Sequence, residues 1–150
     1  MNQPVERESM EVDILFVGAG PATLAGALHL MNEVKAHNER AARTGSEAIA
    51  QPSVLVIEKS ASIGDHMLSG GVMNPKAIRE LVPDFEQQGF PTEHICTDDA
   101  FYMFTRKLAF RSPVTPPNFV KRGYHVVSLS NIAKWLAERC EAAGIDIYPG

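Results

Sequence analysis

Two glycines and one acid are the residues of this chain best suited to binding chemistry. Gly18 and Gly20 directly follow an apolar, β-prone run at residues 12–17, and a small-residue helical pattern begins at Pro21. This pattern predicts a buried strand, a tight turn and a helix N-terminus. Gly18 lets the chain reverse without a Cβ clash, and Gly20 lets the backbone approach a bulky anion. The unpaired N–H groups and the positive end of the helix dipole would face that anion, usually a pyrophosphate.

A carboxylate at the end of the next predicted strand completes the pattern. Residues 53–57 form an apolar run, and Glu58 follows it directly. An acid at this place accepts hydrogen bonds from ribose hydroxyls and repels a 2′-phosphate. The glycine turn, the helix and the acid together predict a dinucleotide site; the alternative is an ordinary strand–turn–helix unit without a ligand. Thr23 stands where a third glycine is usual, and Glu58 follows it after 35 residues, where about 20 is usual.

The helix after the turn must position the glycines, and its length accounts for the late acid. Residues 21–34 place apolar side chains at helical spacing, and residues 35–43 turn polar while remaining helix formers. We interpret both stretches as one helix that extends beyond the sheet into solvent. Residues 44–52 are then the return loop, with Gly45 as the C-cap.

The rest of the chain predicts a series of short elements. Residues 59–71 are glycine-rich without a clean period, which suggests a backbone held near something large and flat. Asn74 and Pro75 open a short helix, whose apolar face either covers the core or meets a membrane or a partner. The remaining predicted elements are a hairpin of strands at 100–105 and 108–111, an extended loop at 112–118, a strand at 124–129, a helix capped by Ser130 that buries Ile132, Trp135, Leu136, Cys140 and Ala143, and a strand at 145–148.

Composition limits the classes of function. The chain has 150 residues, of which 45% are hydrophobic and 21% charged, as expected for a soluble globular domain. A net charge of −4 and the lack of a basic run interleaved with aromatic residues argue against a nucleic-acid partner. The acidic N-terminus, with Glu6, Glu8 and Glu11, is typical of neither a secretory signal nor a mitochondrial presequence, so we expect a bacterial or archaeal protein. Because the last strand is barely finished, we interpret residues 1–150 as the N-terminal part of a longer protein.

Four segments, in order along the chain, carry a family resemblance. They are the glycine turn at 16–22, the strand end at 56–59, the Ile-Gly-Asp-His-Met-Leu-Ser-Gly element at 63–70, and residues 135–150. Together they resemble the N-terminal FAD-binding region of electron-transfer flavoprotein–ubiquinone oxidoreductase over nearly the whole chain. The element at 63–70 discriminates this family, because the glycine turn is shared by many flavoproteins.

The resemblance implies an α/β fold: a truncated, Rossmann-like FAD-binding βαβ sheet with an inserted β-hairpin and short helices. It implies that the glycine turn lines the FAD pyrophosphate and that Glu58 holds the adenosine ribose, with Lys59 beside it. Ser69 and Gly70 would approach the isoalloxazine. The full set of expected cofactor-binding residues is Gly18, Gly20, Pro21, Ala22, Thr23, Glu58, Lys59, His66, Ser69 and Gly70. We expect no catalytic residue and no metal ligand in this chain.

The activity implied by the resemblance is electron transfer from reduced electron-transfer flavoprotein, through a 4Fe-4S cluster, to ubiquinone. Such a cluster needs four cysteines, and this chain has only Cys96 and Cys140, without a Cys-x-x-Cys pair. We therefore expect the cluster, like the quinone site, in a C-terminal part outside this chain. Alternatives are a geranylgeranyl-reductase-like or other FAD oxidoreductase, and a non-catalytic dinucleotide-binding module.

The resemblance also implies a peripheral, monotopic contact with the membrane. The membrane-dipping helix of the family corresponds to about residues 68–85 of this chain. We therefore expect a protein on the cytoplasmic face of the bacterial inner membrane. The cysteines, which read as free thiols, are compatible with that reducing compartment.

Overall fold

The strand–turn–helix unit forms where the sequence predicts it. In the computed structural model, which describes residues 9–150, β1 spans Ile14–Val17, α1 spans Pro21–Thr44 and β2 spans Val54–Glu58. Proline suits the first position of α1 because its missing N–H would have no helical partner there. The helix continues through the polar stretch as expected and ends where Gly45 adopts a left-handed φ of 72°. Glu6 and Glu8, on which the expectation about a leader partly rests, lie outside the described residues.

A parallel sheet holds this unit together. Its order is β1–β2–β8, where β8 spans Asp146–Pro149 and both pairings are parallel. The central strand, β2, buries Val54 and Val56 under α1 and α3, the latter spanning Leu129–Ala142. A parallel sheet packed against helices confirms the predicted α/β class.

Small side chains let the two long helices approach closely. Ala27 of α1 and Ala133 of α3 are fully buried. The Cys140 thiol donates to the Leu24 carbonyl oxygen at 3.3 Å, so one helix reaches the backbone of the other. Trp135 is buried as predicted, and its indole N–H donates to the Gln88 carbonyl oxygen at 3.0 Å.

The opposite face of the parallel sheet is largely exposed in the described structure. Val17, Ile57 and Tyr148 lie side by side across the three strands, and Val17 is 75% exposed. Leu15 is exposed on the same face. Within residues 9–150 the helices therefore pack on one side of the sheet, and on the other side Leu55 of the central strand is buried between its neighbours.

A second, antiparallel sheet was not predicted in full. Its order is β3–β7–β4, with β3 at Gly70–Met73, β4 at Thr92–Ile95 and β7 at His125–Ser128. Only β7 was expected; the two flanking strands are mostly exposed and have no apolar alternation to signal them. Pairing with β7 gives them their structure.

The short helix after β3 buries its apolar face. This helix, α2, spans Lys76–Leu81, and its N-cap is Pro75, one residue later than the predicted Asn74. Asn74 Oδ1 nevertheless accepts from the Lys76 N–H at 3.0 Å. Ile78, Val82 and Phe85 are buried in the core. The interpretation as a helix covering the core is therefore confirmed for these residues.

The predicted hairpin is present, and one predicted cap is wrong. The hairpin strands are β5 at Tyr102–Phe104 and β6 at Ala109–Arg111. The Thr105 hydroxyl oxygen accepts from the Leu108 N–H at 3.0 Å, and this bond stabilises a turn that has neither Gly nor Asn. The cap of α3 is Ser128, which accepts from the Asn131 N–H, whereas Ser130 lies inside the helix. The helix begins earlier than expected because β7 runs directly into it.

Candidate functional site

The glycine turn leaves open space beside its backbone. Gly18 has a φ of 90°, which favours glycine, and its N–H donates to the Ile57 carbonyl oxygen at 2.7 Å. A Cβ placed on either Gly18 or Gly20 would meet nothing within 4 Å. The turn is therefore free on the side where a cofactor would approach.

The N-terminus of α1 offers unpaired donors at this open space. Gly20 is the N-cap and provides no side chain, and no acid lies in the first turn. The first α-helical bond runs from the Leu24 N–H to the Gly20 carbonyl oxygen at 2.9 Å. The N–H groups of Ala22 and Thr23 precede that bond, and Pro21 has none. These donors, together with the helix dipole, fit the pyrophosphate of a dinucleotide.

The structure brings Glu58 to the glycine turn. Its Oε2 accepts from the Ala19 N–H at 2.8 Å, and its Oε1 accepts from the Ser60 N–H at 2.9 Å. The carboxylate thus joins the end of β2 to the turn after β1. This is the juxtaposition that the sequence predicts, since parallel strands end at the same edge of their sheet.

The hydrogen bonds keep Glu58 ionised. The N–H of Ser60 and then that of Ala19 lower the pKa of the Glu58 carboxyl from 4.5 to about 2, and the Ser60 hydroxyl acts in the same direction. The charge of His66 makes a further, smaller contribution. An ionised carboxylate is the form that accepts from ribose hydroxyls.

The other predicted residues lie in three places. Lys59 is exposed just after β2, and His66 is exposed in the following loop, close enough to act electrostatically on Glu58. Ser69 and Gly70 lie beside the start of α3: the Ser69 carbonyl oxygen accepts from the Leu129 N–H at 3.2 Å. Their approach to an isoalloxazine stays a prediction.

Two of the glycines in residues 59–71 are explained by close packing within the chain. A Cβ on Gly70 would lie 2.5 Å from the Val127 carbonyl oxygen, and one on Gly64 would lie 2.6 Å from Ser130 Oγ. Close packing of the chain against itself therefore requires glycine at both positions. Gly71 faces open space.

Sequence reasoning missed two partners of Glu58. The Ala19 donor is a backbone N–H, which every residue but proline carries, so the sequence gives no sign of it. Ser60 is buried, and its hydroxyl oxygen lies 2.8 Å from Glu58 Oε1. The Glu-x-Ser spacing is the only signal, and it is too common to identify such a contact alone.

No metal centre is built by the described part of the chain. No group of three or more His, Cys, Asp or Glu side chains within residues 9–150 is placed to hold a metal ion. Cys140 is buried and Cys96 is partly buried; both are free thiols. Nor does any helix among residues 9–150 combine the length and apolar character needed to cross a bilayer.

Comparison with curated proteins gives consistent relatives. The chain is 38% identical over 149 residues to the electron transfer flavoprotein-ubiquinone oxidoreductase of Pseudomonas aeruginosa, covering 97% of this chain and 25% of that protein. It is 37% identical over 143 residues to the mitochondrial protein of that name from Dictyostelium discoideum, covering 95% of this chain and 22% of that protein. The human mitochondrial protein is 36% identical over 147 residues, covering 97% and 22%. The chain thus spans about a quarter of the length of these relatives.

Solved structures support the fold. A geranylgeranyl bacteriochlorophyll reductase-like protein from Thermoplasma acidophilum superposes with a TM-score of 0.53 at 16% identity, covering 92% of this chain and 30% of that one. CtdE, solved in complex with FAD, superposes with a TM-score of 0.52 at 16% identity, covering 93% of this chain and 30% of CtdE. At this identity the likeness concerns the fold alone. No protein-family profile matches the chain.

The α/β fold agrees with the solved structures, and the resemblance stated from the sequence is confirmed by the relatives. Over nearly its whole length this chain is homologous to the electron transfer flavoprotein-ubiquinone oxidoreductases.

Proposed function

We propose that this chain is the FAD-binding portion of an oxidoreductase that passes electrons from reduced electron-transfer flavoprotein to ubiquinone. The observation that carries the proposal is the 2.8 Å hydrogen bond between Glu58 Oε2 and the Ala19 N–H. It places an ionised acid against an open glycine turn at a helix N-terminus, as an adenine dinucleotide requires. The relatives' names supply the donor and the acceptor.

The chain's own residues would bind and orient the ADP part of the cofactor. The N–H groups of Ala22 and Thr23 would donate to the pyrophosphate, and Glu58 would accept from the adenosine ribose. The negative charge of Glu58 would disfavour a nucleotide carrying a 2′-phosphate. A bound flavin would supply the redox chemistry, and such electron transfer needs no nucleophile or general base from the protein.

The iron–sulfur cluster and the quinone site belong to the proposal for the whole protein. Within the described residues, Cys140 is committed to the core and Cys96 has no second thiol beside it.

We also propose a peripheral membrane contact, on the cytoplasmic face of a bacterial inner membrane. The helix within residues 68–85 is a poor contact, because Ile78, Val82 and Phe85 are already buried in the core. The hairpin is better suited, because it exposes apolar side chains on both faces, Tyr102 and Phe104 on one and Met103 and Phe110 on the other, with Leu108 beside the turn. We call these five side chains the apolar hairpin surface. Arg106 and Lys107 at its turn would favour anionic headgroups.

The experiment that tests the function uses the intact protein. We expect purified protein to show flavin absorbance, to accept electrons from reduced electron-transfer flavoprotein and to reduce ubiquinone. Electron paramagnetic resonance should detect a 4Fe-4S cluster in it. Reduction of prenyl groups or oxidation of NAD(P)H in place of quinone reduction would favour the other flavoenzymes. A colourless protein that binds no flavin would favour a non-catalytic module.

A further inference from the structure

A buried hydroxyl shares the carboxylate on which the ribose site depends. Ser60 is 6% exposed, and its hydroxyl oxygen lies 2.8 Å from Glu58 Oε1 and 2.9 Å from the Ser62 carbonyl oxygen. The single hydroxyl proton serves only one of these acceptors at a time. Because the ionised carboxylate is the stronger acceptor, the proton goes to Glu58 while no other donor competes.

Which acceptor the Ser60 hydroxyl uses decides how many lone-pair positions of Glu58 are free for a ribose. A carboxylate offers about four lone-pair positions. The Ala19 N–H, the Ser60 N–H and the Ser60 hydroxyl occupy three of them. A ribose presents two neighbouring hydroxyl groups, so full binding needs one position more than is free. The Ser62 carbonyl offers the Ser60 hydroxyl another acceptor, so the hydroxyl gives up its position without losing a hydrogen bond.

We infer that Ser60 is a positioning residue, which holds Glu58 ready for the nucleotide and yields its place to a ribose hydroxyl on binding. The inference rests on the proposed FAD site. In the free protein, Ser60 fixes Oε1 while Ala19 fixes Oε2, so Glu58 loses little side-chain freedom when the ribose arrives. In the bound protein, the buried Ser60 hydroxyl donates to Ser62 and stays paired, so no unsatisfied group is left.

The test compares FAD dissociation constants of the intact protein after removal of its flavin. We expect Ser60→Ala to weaken FAD binding about three- to tenfold, the scale of ordering one side chain on binding, because Glu58 is then held less firmly before the ribose arrives. Ser60→Cys keeps the packing but has a weak donor; it should also weaken binding, and it decides the question if Ser60→Ala does not fold. The matched control is Ser53→Ala, which removes a hydroxyl 2.7 Å from Asp13 Oδ2 at the other end of β2 and should leave affinity unchanged.

A double-mutant comparison separates positioning from general stability. In a Glu58→Ala background, Ser60→Ala should cause no further loss of affinity, because its partner is gone. An equal loss in both backgrounds would overturn the positioning role. So would wild-type affinity in both Ser60 variants while Glu58→Ala alone weakens binding, and that result would leave the FAD site standing. Failure of the wild-type protein to bind FAD would overturn the proposed function and the inference together.

Discussion

The two oxygens of Glu58 are bound by backbone N–H groups from different parts of the chain. Ala19 belongs to the turn after β1, and Ser60 to the loop after β2. The side chain therefore joins two strand ends in addition to presenting an acceptor for a ribose. Its removal should change both the stability of the fold and the affinity for the nucleotide.

The stabilising part of this role should depend on pH. The pKa of Glu58 is about 2 in the folded chain, below its ordinary 4.5. Because the folded-state pKa is the lower one, the stability from the ionised carboxylate is complete above about 4.5 and is lost as the pH falls toward 2. We expect Glu58→Gln to be less stable than wild type at neutral pH and to approach wild type in acid, as measured by urea unfolding across a pH series.

The contribution of Glu58 is obtained from the difference in unfolding free energy between wild type and Glu58→Gln at each pH. Hydrogen bonds from Ser53 lower the pKa of Asp13 as well, so wild-type stability falls in acid for at least two reasons. Asp13 is unchanged in Glu58→Gln, and its contribution cancels in the difference. A stability difference that is the same in acid as at neutral pH would contradict the assignment.

A substitution at Gly20 should affect flavin binding much more than folding. The φ of Gly20 is −73°, and a Cβ there meets no protein atom within 4 Å, so a larger side chain fits the protein without a clash. That side chain would fill the space proposed for the pyrophosphate. We expect Gly20→Val to cost about 1 kcal/mol or less in stability, the scale of a changed N-cap. Its flavin content should fall by about tenfold or more. Absorbance after purification and thermal unfolding measure the two effects, and normal flavin loading would refute the placement.

Some residues of the candidate site could be predicted from the sequence and others could not. Gly18, Gly20 and Glu58 were found because glycine spacing and a strand-end acid are physical requirements of nucleotide binding. The contacts of Ala19 and Ser60 were not, because a backbone donor has no side-chain signature and a lone serine has many roles. Spacing identified the groups that we propose face the ligand, whereas the groups that hold them became visible only in the structure.

At the scale of elements, strong apolar patterns were the reliable guide. α1 and α3 were predicted because their buried faces repeat at helical spacing, and β2 because it is a short continuous apolar run that ends at an acid. β3 and β4 were missed, since each has four residues and gains its structure by pairing with β7. The membrane segment at 68–85 came from the family resemblance and stays a prediction, although Ile78 of α2 is buried in the core.

Neighbouring glycines in β3 make a matched pair of variants. A Cβ on Gly70 would lie 2.5 Å from the Val127 carbonyl oxygen, a backbone atom that moves only with β7. One on Gly71 would meet nothing within 4 Å. We expect Gly70→Ala to destabilise the flavin-free protein by about 1–3 kcal/mol, the range for overpacking. Gly71→Ala should change the free energy of urea unfolding by about 0.5 kcal/mol or less. Equal stability of the two variants would show that glycine at position 70 is not required by packing.

The hairpin and the 68–85 segment make different predictions about membrane binding. Phe104 and Leu108 are 77% and 71% exposed on the apolar hairpin surface, and Leu68 is 97% exposed in the other segment. We expect Phe104→Ser with Leu108→Ser to weaken binding to phosphatidylcholine–phosphatidylglycerol vesicles at least about tenfold, since each apolar side chain contributes about 1.5–3 kcal/mol when buried. Co-sedimentation measures the change. Leu68→Ser is the matched control; a loss confined to that variant would return the contact to residues 68–85.

At the scale of the whole molecule, one core joins the cofactor site to the rest of the described chain. Ala19 of the glycine turn is 1% exposed and packs in the same cluster as Leu24, Val56 and Cys140. Stabilising the turn therefore stabilises the packing of α1 against α3. Ligand binding at the turn should be detectable at the far end of α3, without a change of shape, as slower unfolding of the core.

The two thiols are suited to measure this coupling. Cys140 is fully buried, and burial raises the pKa of its thiol to about 11, so it reacts only when the core opens. Cys96 is partly exposed, so we expect it to react without unfolding. With iodoacetamide and peptide mapping, we expect FAD at about 100 times its dissociation constant to slow Cys140 alkylation by about a hundredfold when core opening limits the reaction. Cys96 should react at an unchanged rate. An FAD-independent Cys140 rate, despite a shift in the Trp135 fluorescence transition, would mean that the end of α3 opens locally and that the core does not unfold as one unit.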